Sequence, residues 1–167
     1  SSGTLLVPVP LEAGEAQGTG VSRFSSIQLV RDRLAVMLST VEGVAITIGG
    51  DCGVELAAVE HVADSQDVAL VWFDAHPDLN TVESSPSAAF CGMVLRTLVG
   101  DGVPALVPAL PLSTSRVVLA GTRAFDDPED AYVRESGIAV LEGDGFGTDD
   151  LLAAVKATGA SSIYIHV

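Results

Sequence analysis

Three side chains able to bind a cation lie two residues apart in the run Asp74-Ala75-His76-Pro77-Asp78-Leu79-Asn80. In extended backbone, residues i, i+2 and i+4 point to one side. The spacing therefore predicts that Asp74, His76 and Asp78 converge, with Pro77 stiffening the loop between them. Hard carboxylate oxygens with one imidazole suit Mn²⁺ or Mg²⁺ better than a thiolate-preferring ion. An acidic turn held by Asx hydrogen bonds is the competing reading. Two further runs, Gly49-Gly50-Asp51-Cys52-Gly53 and Gly121-Thr122-Arg123-Ala124-Phe125-Asp126, also follow apolar segments. A glycine pair by itself marks only a tight turn. Cys52 and Cys91, each taken alone, read as small buried apolar residues. His61 and His166 have no partner at ligand spacing; a helix face and a half-buried strand are expected for them.

The elements that must position these residues alternate along the chain. Short valine-, isoleucine- and leucine-rich runs predict strands at Leu5–Val9, Val44–Ile48, Val68–Phe73, Arg116–Ala120, Ile138–Leu141 and Ser162–Val167. Their lack of polar alternation is the pattern of strands covered on both faces. Ile27, Val30, Leu34, Leu38 and Val41 recur at helical spacing, and further helices are expected over Val54–Val62 and Ala88–Val99. Asp127 before Pro128 reads as an N-cap, as does Thr148 before Asp149 and Asp150; Gly159 reads as the stop of that last helix. Pro104–Ser113, with three prolines, reads as a surface loop. Alternation of this kind predicts an α/β fold, with a mainly parallel doubly wound sheet between two helical layers. In such sheets ligands bind beyond the carboxyl ends of the strands, where all three chemistry-bearing runs fall.

The 167 residues correspond to one domain. Apolar residues make up 48% of the chain, enough for a core, and the formal charge of −14 opposes binding to nucleic acid or an anionic membrane. No apolar run approaches the roughly 18 residues of a membrane span. Two cysteines make no disulfide framework, and nothing resembles a signal peptide. A cytoplasmic location is expected on those grounds.

Taken together, the three runs resemble the ureohydrolase family of arginase, agmatinase and formiminoglutamase. Asp74-Ala75-His76-Pro77-Asp78-Leu79-Asn80 is similar to that family's Asp-Ala-His-x-Asp-x-Asn segment. Gly49-Gly50-Asp51-Cys52 is similar to its Gly-Gly-Asp-His segment except at the last residue. Gly121-Thr122-Arg123 with Asp126 resembles the next block. The resemblance, from about Val30 onward, implies an arginase-like three-layer αβα fold, incomplete at both ends, with the chain forming the middle of a larger domain. It implies a metal-dependent hydrolase of linear C–N bonds. A metal-activated hydroxide would attack a guanidino or amidine carbon, releasing urea or a related product. Asp74, His76, Asp78 and Cys52 would then be metal ligands, Asp78 and Cys91 catalytic, and Asn80, Ser87 and Asp126 substrate-binding. Two Mn²⁺ ions per complete site, a small guanidino or amidine substrate and a homo-oligomer (trimer or hexamer) are implied in the same way. Agmatine, formiminoglutamate and guanidino acids all remain open as substrates.

Departures from the pattern keep other readings alive. Cys52 and Cys91 both stand where the family has histidine, and Ala89 stands where arginases have a substrate-holding asparagine. Cys52 makes Zn²⁺ possible, because thiolate favours softer ions. The two thiols also raise the expectation of a redox-sensitive pair. An arginase-fold protein that binds metal or ligand without turnover is the second reading, and an unrelated doubly wound ligand-binding domain is the third.

Overall fold

The computed structural model describes residues 3–63 and 67–167. Four strands, β1 (Val68–Phe73), β2 (Val117–Thr122), β3 (Ala139–Glu142) and β4 (Ser162–His166), form one parallel sheet in the order β3-β2-β1-β4. Five α-helices accompany them: α1 (Phe24–Leu38), α2 (Glu55–Ala63), α3 (Val94–Leu98), α4 (Asp127–Ser136) and α5 (Thr148–Ala157). The path from β1 through β2 to β3 steps one way, and β4 returns to the far side of β1. Because parallel crossovers are right-handed, that reversal puts α5 on the face opposite α3 and α4. The sheet is therefore doubly wound, with helices on both sides.

Period-two side-chain direction divides the core between the two faces. Leu70, Trp72, Val117 and Leu119 pack with Leu56, Leu95 and Leu98 from the helices into the main apolar cluster. Ala69, Val71, Val118 and Ala120, on the other face, are also buried. A smaller cluster joins α1 to α2 through Leu34, Leu38, Ala57 and Ala58. The Arg31 guanidinium reinforces that junction, donating to both carboxylate oxygens of Glu60 and to the Ala105 carbonyl.

Four of the six expected strands form, β1 with the expected bounds and the others with an end shifted by one or two residues; Leu5–Val9 and Val44–Ile48 do not. Val44, Ile46 and Ile48 are 94%, 85% and 90% exposed, so no described neighbour supplies the ladder that turns β propensity into sheet. Pro8 within the first segment and Pro10 just after it lack N–H groups for a ladder. That segment is instead anchored by Val7 on the small cluster and by Arg33 donating to the Pro8 carbonyl.

The helix expected over Ala88–Val99 starts later, as a 3-10 turn at Phe90–Met93 that leads into α3; Ala89 is extended and Ala88 has φ +54°. The first helix stops at Leu38, short of Val41. The cap of α4 is Asp126, one residue before the expected Asp127, because the Glu129 carboxylate reaches back to accept the Asp126 N–H. Asp150 does the same for Gly147, which displaces the cap of α5 from Thr148. Gly159 ends α5 as expected, with φ +71°.

Candidate active site

The site lies beyond the carboxyl ends of β1, β2 and β4, and each part of it has a local cause. Gly49 sits so close to the following turn that a Cβ there would lie 2.1 Å from Val54 Cγ1. Asp51 Oδ1 then accepts the Gly53 N–H at 2.8 Å and caps the 3-10 turn Cys52–Val54. That turn aims the Cys52 thiol at Asp74, the residue just past β1, with Sγ 3.6 Å from Oδ2. The loop after β1 is pinned to the one after β2. Thr122 Oγ1 donates to the Asp74 carbonyl, and the Arg123 and Ala124 N–H groups both donate to the Ala75 carbonyl.

Asp74 uses its two oxygens in different directions. Oδ1 accepts the His76 N–H at 2.9 Å and lies 3.5 Å from His76 Nδ1. Oδ2 faces Cys52 and His166, whose Nε2 is 3.7 Å away. Asp78, at the unusual φ of +52°, turns its carboxylate inward and is 5% exposed, whereas the His76 side chain is 66% exposed. The three residues stay in one neighbourhood, with His76 beside Asp74 and His76 and Asp78 lining one cavity, but the loop leaves the extended backbone that the spacing assumed at Asp78.

Charge and burial act together here. Burial pushes the Asp78 carboxyl up to about 7; the Asp74 charge adds to this, and the Cys52 thiol and His166 oppose it. Burial also raises Asp74, but the His76 N–H, the Cys52 thiol and two imidazoles outweigh that and hold it below its ordinary value. The Cys52 thiol is driven far up by burial and by Asp78 and Asp74. The Cys91 thiol is raised by burial and by the Asp51 and Asp78 charges. Neither cysteine is in a disulfide. Thiols held protonated are poor nucleophiles and slow to oxidise.

A cavity of about 400 Å³ opens in front of this cluster, lined among others by His76, Asp78, Asn80, Ser87, Cys91 and Asp126. Asn80 Nδ2 donates to Asp126 Oδ2 at 2.9 Å, and Ser84 Oγ donates to Asn80 Oδ1 at 2.7 Å. Ser87 Oγ accepts the Ala89 N–H. Beneath them Glu129 is buried; its two oxygens accept the Leu79 and Asp126 N–H groups at 2.9 Å each. Burial raises the Glu129 carboxyl despite those two donors.

His76, Asp78, Asn80, Ser87, Cys91 and Asp126 thus line the cavity together, and Cys52 and Asp74 lie behind Asp78, outside the lining. Sequence reasoning missed His166, Glu55, Glu129 and Ser84. Glu129 carried a signal, since it stands three residues after Asp126 at capping-box spacing. His166 carried none. It is buried rather than half-buried, stacks on Trp72 with ring centroids 3.7 Å apart, and is brought there by the pairing of β1 with β4.

The donors fit a divalent cation. Asp78 Oδ2 is buried without a hydrogen-bond partner, and Cys52, Asp74 and His166 each offer a ligand atom within 4.8 Å of the others. A cation between Asp74 and Asp78 would relieve the repulsion that helps raise the Asp78 carboxyl.

Comparison with known proteins agrees with this architecture. The arginase of Bacillus caldovelox is 31% identical over 132 residues, covering 72% of this chain and 44% of that protein. The arginase of Entamoeba histolytica is 31% identical over 161 residues, covering 92% of this chain and 51% of the other. The chain thus spans about half the length of these curated relatives. The crystal structure of Bacillus subtilis arginase superposes with a TM-score of 0.86 at 26% identity, over 95% of this chain and 58% of that one. A formimidoylglutamase structure from the same species, at 18% identity and TM-score 0.65, shares the fold. The family model described as "Arginase family" matches residues 10–167, starting well before the region in which the motifs are concentrated. A doubly wound sheet, loops of this order at its strand ends and a match across nearly the whole chain agree with one another: the chain belongs to the arginase family.

Proposed function

We propose that this chain carries the site of a metal-dependent hydrolase that cleaves a C–N bond of a small guanidino or amidine compound. The observation that carries the reading is Asp74, whose two oxygens face separate sets of donors: Cys52 and His166 on one side, His76 on the other. Asp74, His76, Asp78 and Cys52 hold divalent metal in this reading, and Mn²⁺ in a two-ion arrangement is the form the family pattern implies. A bound cation supplies Lewis acidity that brings the pKa of a water toward neutrality.

The remaining roles belong to the chain. Asp126 and Asn80 present a paired carboxylate and amide to the cavity, a surface matched to a cation carrying several N–H donors. Ser87 adds a hydroxyl at the cavity wall. Asp78, buried and neutralised only by a cation or a proton, orients the attacking water. Cys91 keeps its proton at neutral pH and stands where a departing amine takes one up.

A second reading, metal or ligand binding without turnover, is favoured by Cys91 itself. An imidazole there would exchange protons near pH 7, whereas a raised thiol does so poorly. The deciding experiment incubates the full chain with Mn²⁺ or Zn²⁺ and a panel including agmatine, formiminoglutamate and guanidino acids, and measures released urea, amide and amine. Metal-dependent release that falls at least a hundredfold, about 2.7 kcal/mol of barrier, in Asp78→Ala is the expected result. Metal bound with no product from any compound favours the second reading, and unchanged turnover in Asp78→Ala overturns the ligand assignment.

A further inference from the structure

We propose that Cys52, Asp74 and His166 form a three-donor site for one zinc-class cation, with His166 as an added ligand and Glu55 as the residue that orients it. The proposal rests on the metal-dependent reading of this site and narrows it to a donor set and an ion.

The three donors come from separate elements: the turn after Gly49-Gly50, the end of β1 and the end of β4. Their ligand atoms all lie within 4.8 Å of one another. Tetrahedral zinc with a sulfur at about 2.3 Å and oxygen and nitrogen at about 2.1 Å requires S···O near 3.6 Å and O···N near 3.4 Å. The observed Cys52 Sγ to Asp74 Oδ2 separation is 3.6 Å, and Asp74 Oδ2 to His166 Nε2 is 3.7 Å. Those two separations are within a few tenths of an ångström of the required values, and the third, from Cys52 Sγ to His166 Nε2, is within 4.8 Å and closes on binding.

The imidazole is already oriented for the task. Trp72 stacks on one face with centroids 3.7 Å apart and an interplanar angle of 22°. Nδ1 lies 3.3 Å from Glu55 Oε1, which leaves Nε2 directed toward Asp74. A carboxylate on one ring nitrogen with the other free for metal is the arrangement that fixes the tautomer of metal-binding histidines. Glu55 and His166 are 7% and 5% exposed; the 3.3 Å approach of Nδ1 to Oε1 is an ion-pair contact short of an aligned hydrogen bond, and Glu55 Oε2 is buried without a partner. Such burial is expensive without a charge to organise it.

Sulfur, imidazole nitrogen and a single carboxylate favour zinc over manganese, which takes oxygen-rich shells. Three protein ligands leave a fourth position. Asp78, buried beside Cys52 and Asp74 with Oδ2 unpartnered, is the nearby carboxylate that could approach it.

The test strips the full chain with a chelator and titrates it with Co²⁺, then with Zn²⁺ against a chromophoric chelator. The expected result is one tight Co²⁺ per chain with a thiolate-to-cobalt charge-transfer band and four-coordinate d–d bands. Cys52→Ser removes the charge-transfer band. His166→Gln and Glu55→Gln each weaken Zn²⁺ at least tenfold while the far-ultraviolet circular dichroism is kept. Zinc K-edge absorption of the unmodified chain guards against a variant that fails to fold: one sulfur near 2.3 Å with nitrogen and oxygen near 2.0–2.1 Å is expected. A zinc shell without sulfur, a six-coordinate cobalt spectrum, or unchanged zinc affinity in folded His166→Gln overturns the proposal. None of these readouts involves turnover, so zinc bound as described with no hydrolysis of any compound would defeat only the hydrolase reading.

Discussion

At the scale of single residues, the site is a set of ionisable groups whose environments oppose their free-solution chemistry. Glu129 shows this beside Asp78 and His76. It is buried under the cavity wall, accepts two backbone N–H groups and still has its carboxyl raised. Below the ordinary glutamate range, about 4.3, folded and unfolded chains both carry the proton and the group has no effect on stability. As pH rises the unfolded carboxyl ionises first, so the folded state binds more protons and stability falls until the folded carboxyl has ionised as well. We expect the melting temperature of the wild type to decline over that window relative to Glu129→Gln, which lacks the titration. Parallel pH profiles of the two proteins, followed by circular dichroism, would refute the assignment. The same environment bears on the redox expectation, since thiols raised by burial and carboxylates resist oxidation and Cys52 and Cys91 should stay reduced in air.

At the scale of elements, the site depends on short pieces held from outside. α3 has five residues, too few to be stable by itself. It is fixed by Leu95 and Leu98, which are 0% and 1% exposed in the main cluster, and its first turn is tied to the site by the Arg96 N–H donating to the Asp78 carbonyl. Leu95→Ala leaves a cavity beneath that turn and should cost about 2–5 kcal/mol in urea denaturation. A loss under 1 kcal/mol would mean that α3 is not part of the cooperative core. Asp78 should suffer with it, because its left-handed backbone persists only while its neighbours hold it.

At the scale of the whole molecule, burial is uneven. Val44, Ile46 and Ile48 are almost fully exposed, and on β4, the edge strand of the described sheet, Ile163 and Ile165 are 54% and 58% exposed. An apolar strand edge is a template for pairing with another chain. The charge of −14 opposes that association by self-repulsion, which salt screens. Light scattering of this chain should therefore show self-association that rises with salt and falls in Ile165→Lys. A monomer at every ionic strength would show that the edge is protected. Among the described residues no helix is long and apolar enough to cross a membrane.

Much of this protein was legible in its residues because the relevant patterns are local. The apolar run Val68–Phe73, the helical spacing of Ile27, Leu34 and Leu38, and the strand–helix alternation each follow from a periodicity within one segment. The motif around Asp74 was visible for the same reason, as was the cavity wall of Asn80, Ser87 and Asp126 through family likeness. What was misjudged depended on partners. Val44–Ile48 has strand composition, but a ladder needs a neighbour. The extended backbone assumed for Asp74, His76 and Asp78 ends at Asp78, whose φ of +52° is held by the surrounding loops. His166 lies 92 residues from Asp74, and only the register that sets it beside Trp72 brings its imidazole to that carboxylate. The sequence by itself determined the fold class and most of the candidate site residues at one strand end, since both are written in short-range pattern. Only the tertiary structure decided which side chains from different strands share a site, because sheet order and register are set by packing across the whole core.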